Sequence, residues 1–140
     1  MKILVAVDGS AYTKRMLAYL AAHDEWLGAQ HAYTLLTVVP LVPPRAAAVL
    51  PKQTLVAHYE HEAETVFKTV RKFLSRKALA VEYASKNGPV AETIAGFYDK
   101  GKFELLMMGS HGHGALGNLV LGSVATQVMA QCKAPVLLVR

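Results

Sequence analysis

The sequence predicts an α/β protein built on an open, doubly wound, five-stranded parallel sheet with helices on both faces. Three observations carry this prediction. Short apolar runs alternate with helical patterns along the whole chain, and the runs lack the polar alternation of half-exposed strands. The chain has 140 residues, of which 53% are hydrophobic and 18% charged, enough apolar material for one core. We therefore expect a single domain over residues 1–140.

Five apolar or β-branched runs are the candidate strands. Each is bounded by Gly, Pro, Asp or Ser, residues that commonly end strands. Near-continuous apolar runs are typical of parallel strands that are buried on both faces. The candidate strands are residues 3–7, 33–39, 79–84, 103–108 and 136–139.

The segments between these runs repeat apolar residues every three or four positions, which predicts helices. The apolar stripes are Met16, Leu17, Leu20 and Leu27; Val56, Tyr59, Ala63, Val66, Phe67, Val70, Phe73 and Leu74; Val90, Ile94, Phe97 and Tyr98; and Leu121, Val124, Ala125, Val128, Met129 and Cys132. Because strands and helices alternate, right-handed crossovers are expected. Residues 40–52 are rich in Pro and Ala, and we expect an irregular surface loop or a lid there.

The charge distribution does not favour a nucleic-acid partner. The formal net charge is +5, but the basic residues are scattered and form no stripe with exposed aromatics. The sequence also lacks zinc-finger and RNP-type motifs. A solvated basic surface is the expected outcome, with no nucleic acid bound.

The cysteine content and the hydropathy of the chain indicate the cellular compartment in which the protein is expected. Cys132 is the only cysteine, so an intrachain disulfide cannot form, and we expect its side chain to act as a small buried hydrophobe. The N-terminal apolar run ends at Asp8, and Pro40 and Pro43 interrupt the longer apolar stretch that follows. We expect no membrane association and a cytoplasmic protein.

The candidate site is the switch point of the sheet. In doubly wound sheets the ligand crevice opens beyond the carboxyl ends of the strands where the strand order reverses, here after Asp8 and Gly109. Gly112 closes a short loop after the fourth strand, and nine residues later Gly122 and Ser123 open the last helix. Free amides and the positive end of a helix dipole bind phosphate, so the sequence predicts a two-sided phosphate cradle.

Each of these residues also has a purely structural interpretation. Ser123 suits a helix N-cap, the glycines suit turns, and Asp8 suits the strand end that precedes an N-cap at Ser10. The combination at the expected switch point favours the phosphate site.

Two other nucleotide-binding motifs do not fit this sequence. Gly112, Gly114 and Gly117 spell G-x-G-x-x-G, but no acidic residue follows about 20 positions later, as the dinucleotide fingerprint requires. The pattern G-x-x-x-x-G-K-[ST] is absent, which excludes a P-loop NTPase.

Metal and hydrolase sites are disfavoured as well. The candidate metal pairs are His58 with His61 and His111 with His113. His58 and His61 lie beside a helical stripe without an H-E-x-x-H motif, and His111 is better placed to line a nucleotide pocket than to bind zinc. Ser10 and Ser123 lie outside any G-x-S-x-G elbow. We therefore assign no metal ligand and no catalytic residue.

Residues 109–112, nine intervening residues and then Gly122-Ser123 form the pattern G-2x-G-9x-G-[ST]. In this pattern the chain resembles the nucleotide-binding, ATP-binding class of the universal stress protein family. The resemblance extends over the whole chain. It includes residues 2–10 (KILVAVDGS), 35–39 (LLTVV), 88–94 (GPVAETI) and 134–139 (APVLLV). Thr37 stands where many relatives carry His, and the loop 40–51 is peculiar to this chain.

This resemblance implies a Rossmann-like sheet of order 3-2-1-4-5 and a homodimer in which the C-terminal strands pair across a two-fold axis. It also implies the roles of the site residues. Asp8, next to Val7, would contact the adenosine, the backbone of Val38 would meet adenine, and Met108 and Gly109 would border the ribose. The residues implied to hold phosphates are Gly112, Gly122, Ser123 and Val124.

The leading hypothesis is a regulatory or stress-response module that binds ATP, ADP or AMP, with Mg²⁺ held by the phosphates and an unidentified regulatory protein as a further partner. Its enzymatic activity would be at most slow ATP hydrolysis or autophosphorylation, because no residue is placed as a strong general base. A dimeric interaction protein that binds no nucleotide is the alternative. An adenylyl transferase is a third hypothesis, for which a second substrate site is missing.

Overall fold

The computed structural model describes residues 1–114, 118 and 120–140. Five parallel strands form one sheet of order β3-β2-β1-β4-β5, which confirms the predicted architecture and strand order. The strands are β1 (Lys2–Ala6), β2 (Ala32–Val39), β3 (Ala80–Asn87), β4 (Leu105–Gly109) and β5 (Val136–Val139). The helices are α1 (Ala11–Ala22), α2 (Asp24–Leu27), α3 (Pro44–Val49), α4 (Lys52–Leu74), α5 (Val90–Gly101) and α6 (Ser123–Gln131).

Two apolar clusters form the core, one on each face of the sheet. In β1, Ile3 and Val5 belong to the cluster with α1 and α4, and Leu4 belongs to the cluster with α5 and α6. All three side chains are fully buried. Burial on both faces explains why the strand sequence does not alternate. Cys132 is buried in the second cluster, as its hydrophobic character predicts.

Residues 40–52 differ from the predicted irregular loop. They contain α3, and α4 already begins at Lys52. Pro44 stands at the first position of α3, where its fixed φ and missing N–H are tolerated, and three alanines with high helix propensity follow. The clustered prolines thus start and separate two helices.

The end of β3 and the start of β4 differ most from the sequence prediction, and the other strand ends differ from it by at most one residue. β3 runs on to Asn87 because it pairs with all of β2. β4 begins only at Leu105, and Phe103 instead packs into the second core cluster. No helix formed by the described residues is long and apolar enough to cross a membrane.

Candidate functional site

A crevice of about 420 Å³ opens beyond the carboxyl ends of β1, β2 and β4. It lies where β1 has β2 on one side and β4 on the other, which is the switch point of the sheet. The structure brings all ten predicted site residues to this crevice. They are Val7, Asp8, Val38, Met108, Gly109, His111, Gly112, Gly122, Ser123 and Val124.

Asp8 is held in place by the turn that leads into α1. Its Oδ1 accepts hydrogen bonds from the Ser10 amide at 2.9 Å and the Thr13 hydroxyl at 2.8 Å. Gly9 between them has a φ of 76°, a left-handed conformation that favours glycine. Ser10 caps α1, as the structural interpretation of this motif predicts. Oδ2 lies beside Gly112, where a Cβ would come within 2.7 Å of it, so Asp8 both supports the turn and lines the crevice.

Gly122 joins the loop after β4 to the start of α6. Its amide donates to the carbonyl of Ser110 at 2.8 Å, and a Cβ on Gly122 would lie 2.9 Å from the Cα of His111. A Cβ on Gly109 would lie 2.7 Å from the Cβ of Tyr12. These glycines are therefore needed for backbone packing as well as for an open crevice. A larger residue at 122 would displace the loop, so it is a poor probe of ligand binding alone.

The N-terminus of α6 points its unpaired amides at the crevice. The first hydrogen bond of the helix runs from Thr126 N to Gly122 O, so the amides of residues 123–125 have no acceptor within the helix. Gly122 is the N-cap and Ser123 is the first helical residue, so the interpretation of Ser123 as the N-cap is wrong. No side chain in the described part of the chain caps this helix. The helix end is left partially positive and available to an anion.

Two histidines stand at the loop side of the crevice. Nε2 of His113 donates a hydrogen bond of 2.7 Å to the backbone carbonyl of Asp8, which ties the loop to the end of β1. Nδ1 of His111 lies 2.8 Å from Oγ of the buried Ser110, and its ring lies 4.9 Å from the ring of Tyr12. Both imidazoles are thus oriented by contacts with the protein. Within the described ranges, no three His, Cys, Asp or Glu side chains come together as a metal cluster.

Sequence reasoning missed several crevice residues, among them Glu62 and Val66 of α4. Val66 lies close to the turn after β1, because a Cβ built on Gly9 would be 3.6 Å from its Cγ2. Glu62 and Val66 are four positions apart and therefore lie on one face of α4. No sequence motif connects that face to Asp8, which is more than 50 positions away. Thr13 and His113 were missed too. Gly117, the last glycine of the G-x-G-x-x-G pattern, lies outside the described residues.

The fold and the crevice together define a doubly wound α/β protein with a glycine-lined cleft at its switch point. The universal stress protein family matches the chain over residues 1–140. The chain is 31% identical over 144 residues to the universal stress protein in the QAH/OAS sulfhydrylase 3′ region of Thermus aquaticus, covering 99% of this chain and 97% of that protein. This chain belongs to the universal stress protein family.

A longer relative and two solved structures are also similar to this chain. Universal stress protein Slr1230 of Synechocystis sp. is 30% identical over 139 residues, which are 99% of this chain but only 42% of that protein. The solved structure of hypothetical protein MJ0577 has a TM-score of 0.80 and 26% identity, covering 99% of this chain and 94% of that one. The structure of a universal stress protein from Archaeoglobus fulgidus in complex with dAMP has a TM-score of 0.68 and 18% identity. The match covers 100% of this chain and 98% of that one, and it shows that the two proteins share the fold.

Proposed function

We propose that this protein binds an adenine nucleotide, ATP, ADP or AMP, in the switch-point crevice. The observation that carries the proposal is the N-terminus of α6. Its first amides face a crevice lined by Asp8, and no side chain of the described residues caps them. Such a helix end favours phosphate through its amides and its dipole. The dAMP complex of the Archaeoglobus fulgidus protein supports adenine nucleotide as the ligand class.

In this proposal the crevice is divided by chemistry. Val7, Val38 and Met108 supply apolar surface for the base and sugar. Val38 meets adenine through its backbone, Asp8 contacts the adenosine, and Met108 with Gly109 borders the ribose. His111 lines the pocket, and the phosphates lie at Gly112, Gly122, Ser123 and Val124.

Bound nucleotide would act mainly as a regulatory signal. Mg²⁺ would be held by the phosphates, and hydrolysis or autophosphorylation would be slow. We propose a stress-response role in the cytoplasm, in which the nucleotide state changes the surface offered to a regulatory protein partner.

We further propose a homodimer formed through β5. This strand is at one edge of the sheet, all four of its apolar residues are half-buried, and no other strand of the described chain pairs with its outer side. An apolar edge strand exposes unpaired backbone groups that favour pairing with a second copy.

Calorimetric titration with ATP and Mg²⁺ tests the binding proposal. We expect a dissociation constant on the order of micromolar, equivalent to about −8 kcal/mol, with NAD and GTP as controls. Analysis of the denatured sample detects nucleotide that co-purifies with the protein. If nucleotide-free protein does not bind ATP, the dimeric interaction protein becomes the better hypothesis.

Ser123→Asp is a sharper probe than a change at Gly122. Ser123 is exposed at the first position of α6, where a carboxylate is favoured by the helix dipole by about 0.3–1 kcal/mol. The same charge repels phosphate, so we expect unchanged or higher stability in urea and at least about tenfold weaker ATP binding. Ser123→Ala is the matched control, because it keeps the backbone amide and loses only the hydroxyl, and it should weaken binding much less than Ser123→Asp. Equal affinity of both variants would place the phosphates elsewhere.

A further inference from the structure

The outer edge of β3 is open and exposed. β3 pairs with β2 on one side, and within the described residues no strand pairs with its other side. Six of its eight residues are exposed, including Glu82, Tyr83, Ser85 and Lys86. An edge strand of this length is a template for adding another strand.

The residues of β3 are self-complementary about Ala84. In an antiparallel pair of two β3 strands centred on Ala84, Glu82 of one copy lies opposite Lys86 of the other, and the two-fold axis makes this pair twice. On the other face, Tyr83 lies opposite Ser85, so a large side chain meets a small one. Opposite charges directly across a strand pair are stabilising, and like charges are destabilising.

Other registers lose this match. Centring the pair on Tyr83 places Glu82 opposite Ala84, and centring it on Ser85 places Lys86 opposite Ala84. Neither charge then has a partner of opposite sign directly across the pair. Within the described residues neither Glu82 nor Lys86 forms an ion pair. Nζ of Lys86 lies 6.0 Å from the centroid of the Phe97 ring, a distant contact that leaves its charge without a partner of opposite sign.

The adjoining face of the protein leaves room for a partner. A groove of about 600 Å³ lies between β3 and α5 and is lined by Ala84, Lys86, Gly96 and Phe97. Gly96 is in the interior of α5, where glycine is unfavourable, yet a Cβ there would meet no atom of the other described elements within 4 Å. Packing within this chain therefore does not require glycine at 96. A glycine here gives a second copy room to approach α5.

We propose that β3 pairs with β3 of a second copy of this chain, antiparallel and centred on Ala84, to form a continuous sheet across a two-fold axis. This interface is at the opposite edge of the sheet from β5 and away from the crevice, so it goes beyond the proposed function and needs no nucleotide.

Charge reversal tests the register. Lys86→Glu alone places glutamates opposite each other, and Glu82→Lys alone places lysines opposite each other. Each variant should therefore weaken the association step that goes beyond the proposed β5 dimer at least tenfold in sedimentation equilibrium. A one-to-one mixture of the two variants restores both opposite-charge pairs, as does the double exchange E82K/K86E, and both samples should associate like the wild type. Equal association of the wild type, the single variants and the mixture would overturn the proposal. Glu82 and Lys86 would then serve to keep the edge strand from pairing with other chains.

A cysteine at the axis tests the geometry independently of β5. Residues directly opposite in an antiparallel pair have Cα atoms about 4.5–5.5 Å apart, within the range of a disulfide. Ala84→Cys should therefore give a reducible covalent dimer under mild oxidation, whether or not ATP is present. Ser75→Cys, exposed after α4, is the control and should stay uncrosslinked. If Ala84→Cys forms no more covalent dimer than the Ser75→Cys control, the two-fold pairing of β3 is wrong. Titration of the same sample with ATP tests nucleotide binding in the crevice separately.

Discussion

At the scale of single residues, Asp8 combines a structural and a proposed binding role. Its Oδ1 accepts two hydrogen bonds within the turn, and Asn could still accept both with an amide oxygen. Because a charged acceptor is stronger than a neutral one, we expect Asp8→Asn to lower the free energy of unfolding by about 1 kcal/mol. We expect adenosine contacts to weaken as well, with about tenfold lower affinity for ATP and AMP in calorimetry. Unchanged affinity would leave Asp8 with its structural role alone.

Tyr33 gives the fold a predictable dependence on alkaline pH. Burial, and secondarily the negative charge of Asp24, raises the pKa of Tyr33 to about 12, and its hydroxyl donates to the carbonyl of Leu27 at 2.6 Å. The unfolded chain releases this proton near its ordinary pKa of 10.0, before the native protein does. The stabilisation is therefore present below pH 10 and is lost between about pH 10 and pH 12.

Tyr33→Phe tests this dependence. We expect it to lower stability near pH 8 by about 1 kcal/mol through the lost hydrogen bond, and to flatten the decline above pH 10. Urea unfolding at a series of pH values measures both effects. Burial also raises the pKa of Tyr98, so some decline should remain. Parallel curves for wild type and variant would mean that ionisation of Tyr33 does not limit stability.

At the scale of elements, α1 begins at the same turn that holds Asp8. The Ser10 hydroxyl accepts a hydrogen bond from Thr13 N at 3.4 Å, and Ser10 is buried. We expect Ser10→Ala to destabilise the protein by about 1 kcal/mol in urea unfolding, the usual effect of losing an N-cap. Ser75→Ala at the exposed end of α4 should change stability little and serves as the control. Equal effects of both changes would argue against a capping role for Ser10.

The elements that follow clear periodicities were predictable, and α3 was not. The stripe around Val66 and Val70 identifies α4 because one helix face must be apolar to pack on the sheet. α3 buries none of its residues, so it leaves no hydrophobic period in the sequence. Its alanines and the position of Pro44 were the available signals, and the neighbouring prolines obscured them.

At the scale of the whole molecule, nucleotide binding should be coupled to stability. A ligand that binds only the folded state stabilises it by about 2.7 kcal/mol at 100 times its dissociation constant. We expect ATP to raise the free energy of unfolding of the wild type by this amount, and to raise that of Ser123→Asp by at most about 1.4 kcal/mol at the same concentration, because its affinity is at least tenfold lower. Urea unfolding with and without ATP makes the measurement. An equal gain for both proteins would point to a site away from α6.

The sequence by itself determined the sheet class, the switch point and the glycine-rich loops of the crevice, because hydrophobic periods and turn residues act locally along the chain. Only the tertiary structure decided that Glu62 and Val66 reach the crevice, that Gly109 and Gly122 are also needed for close backbone packing, and that the edge of β3 stays open. These features arise from contacts between residues distant in sequence. Such contacts depend on how helices pack across the sheet, which no local pattern records.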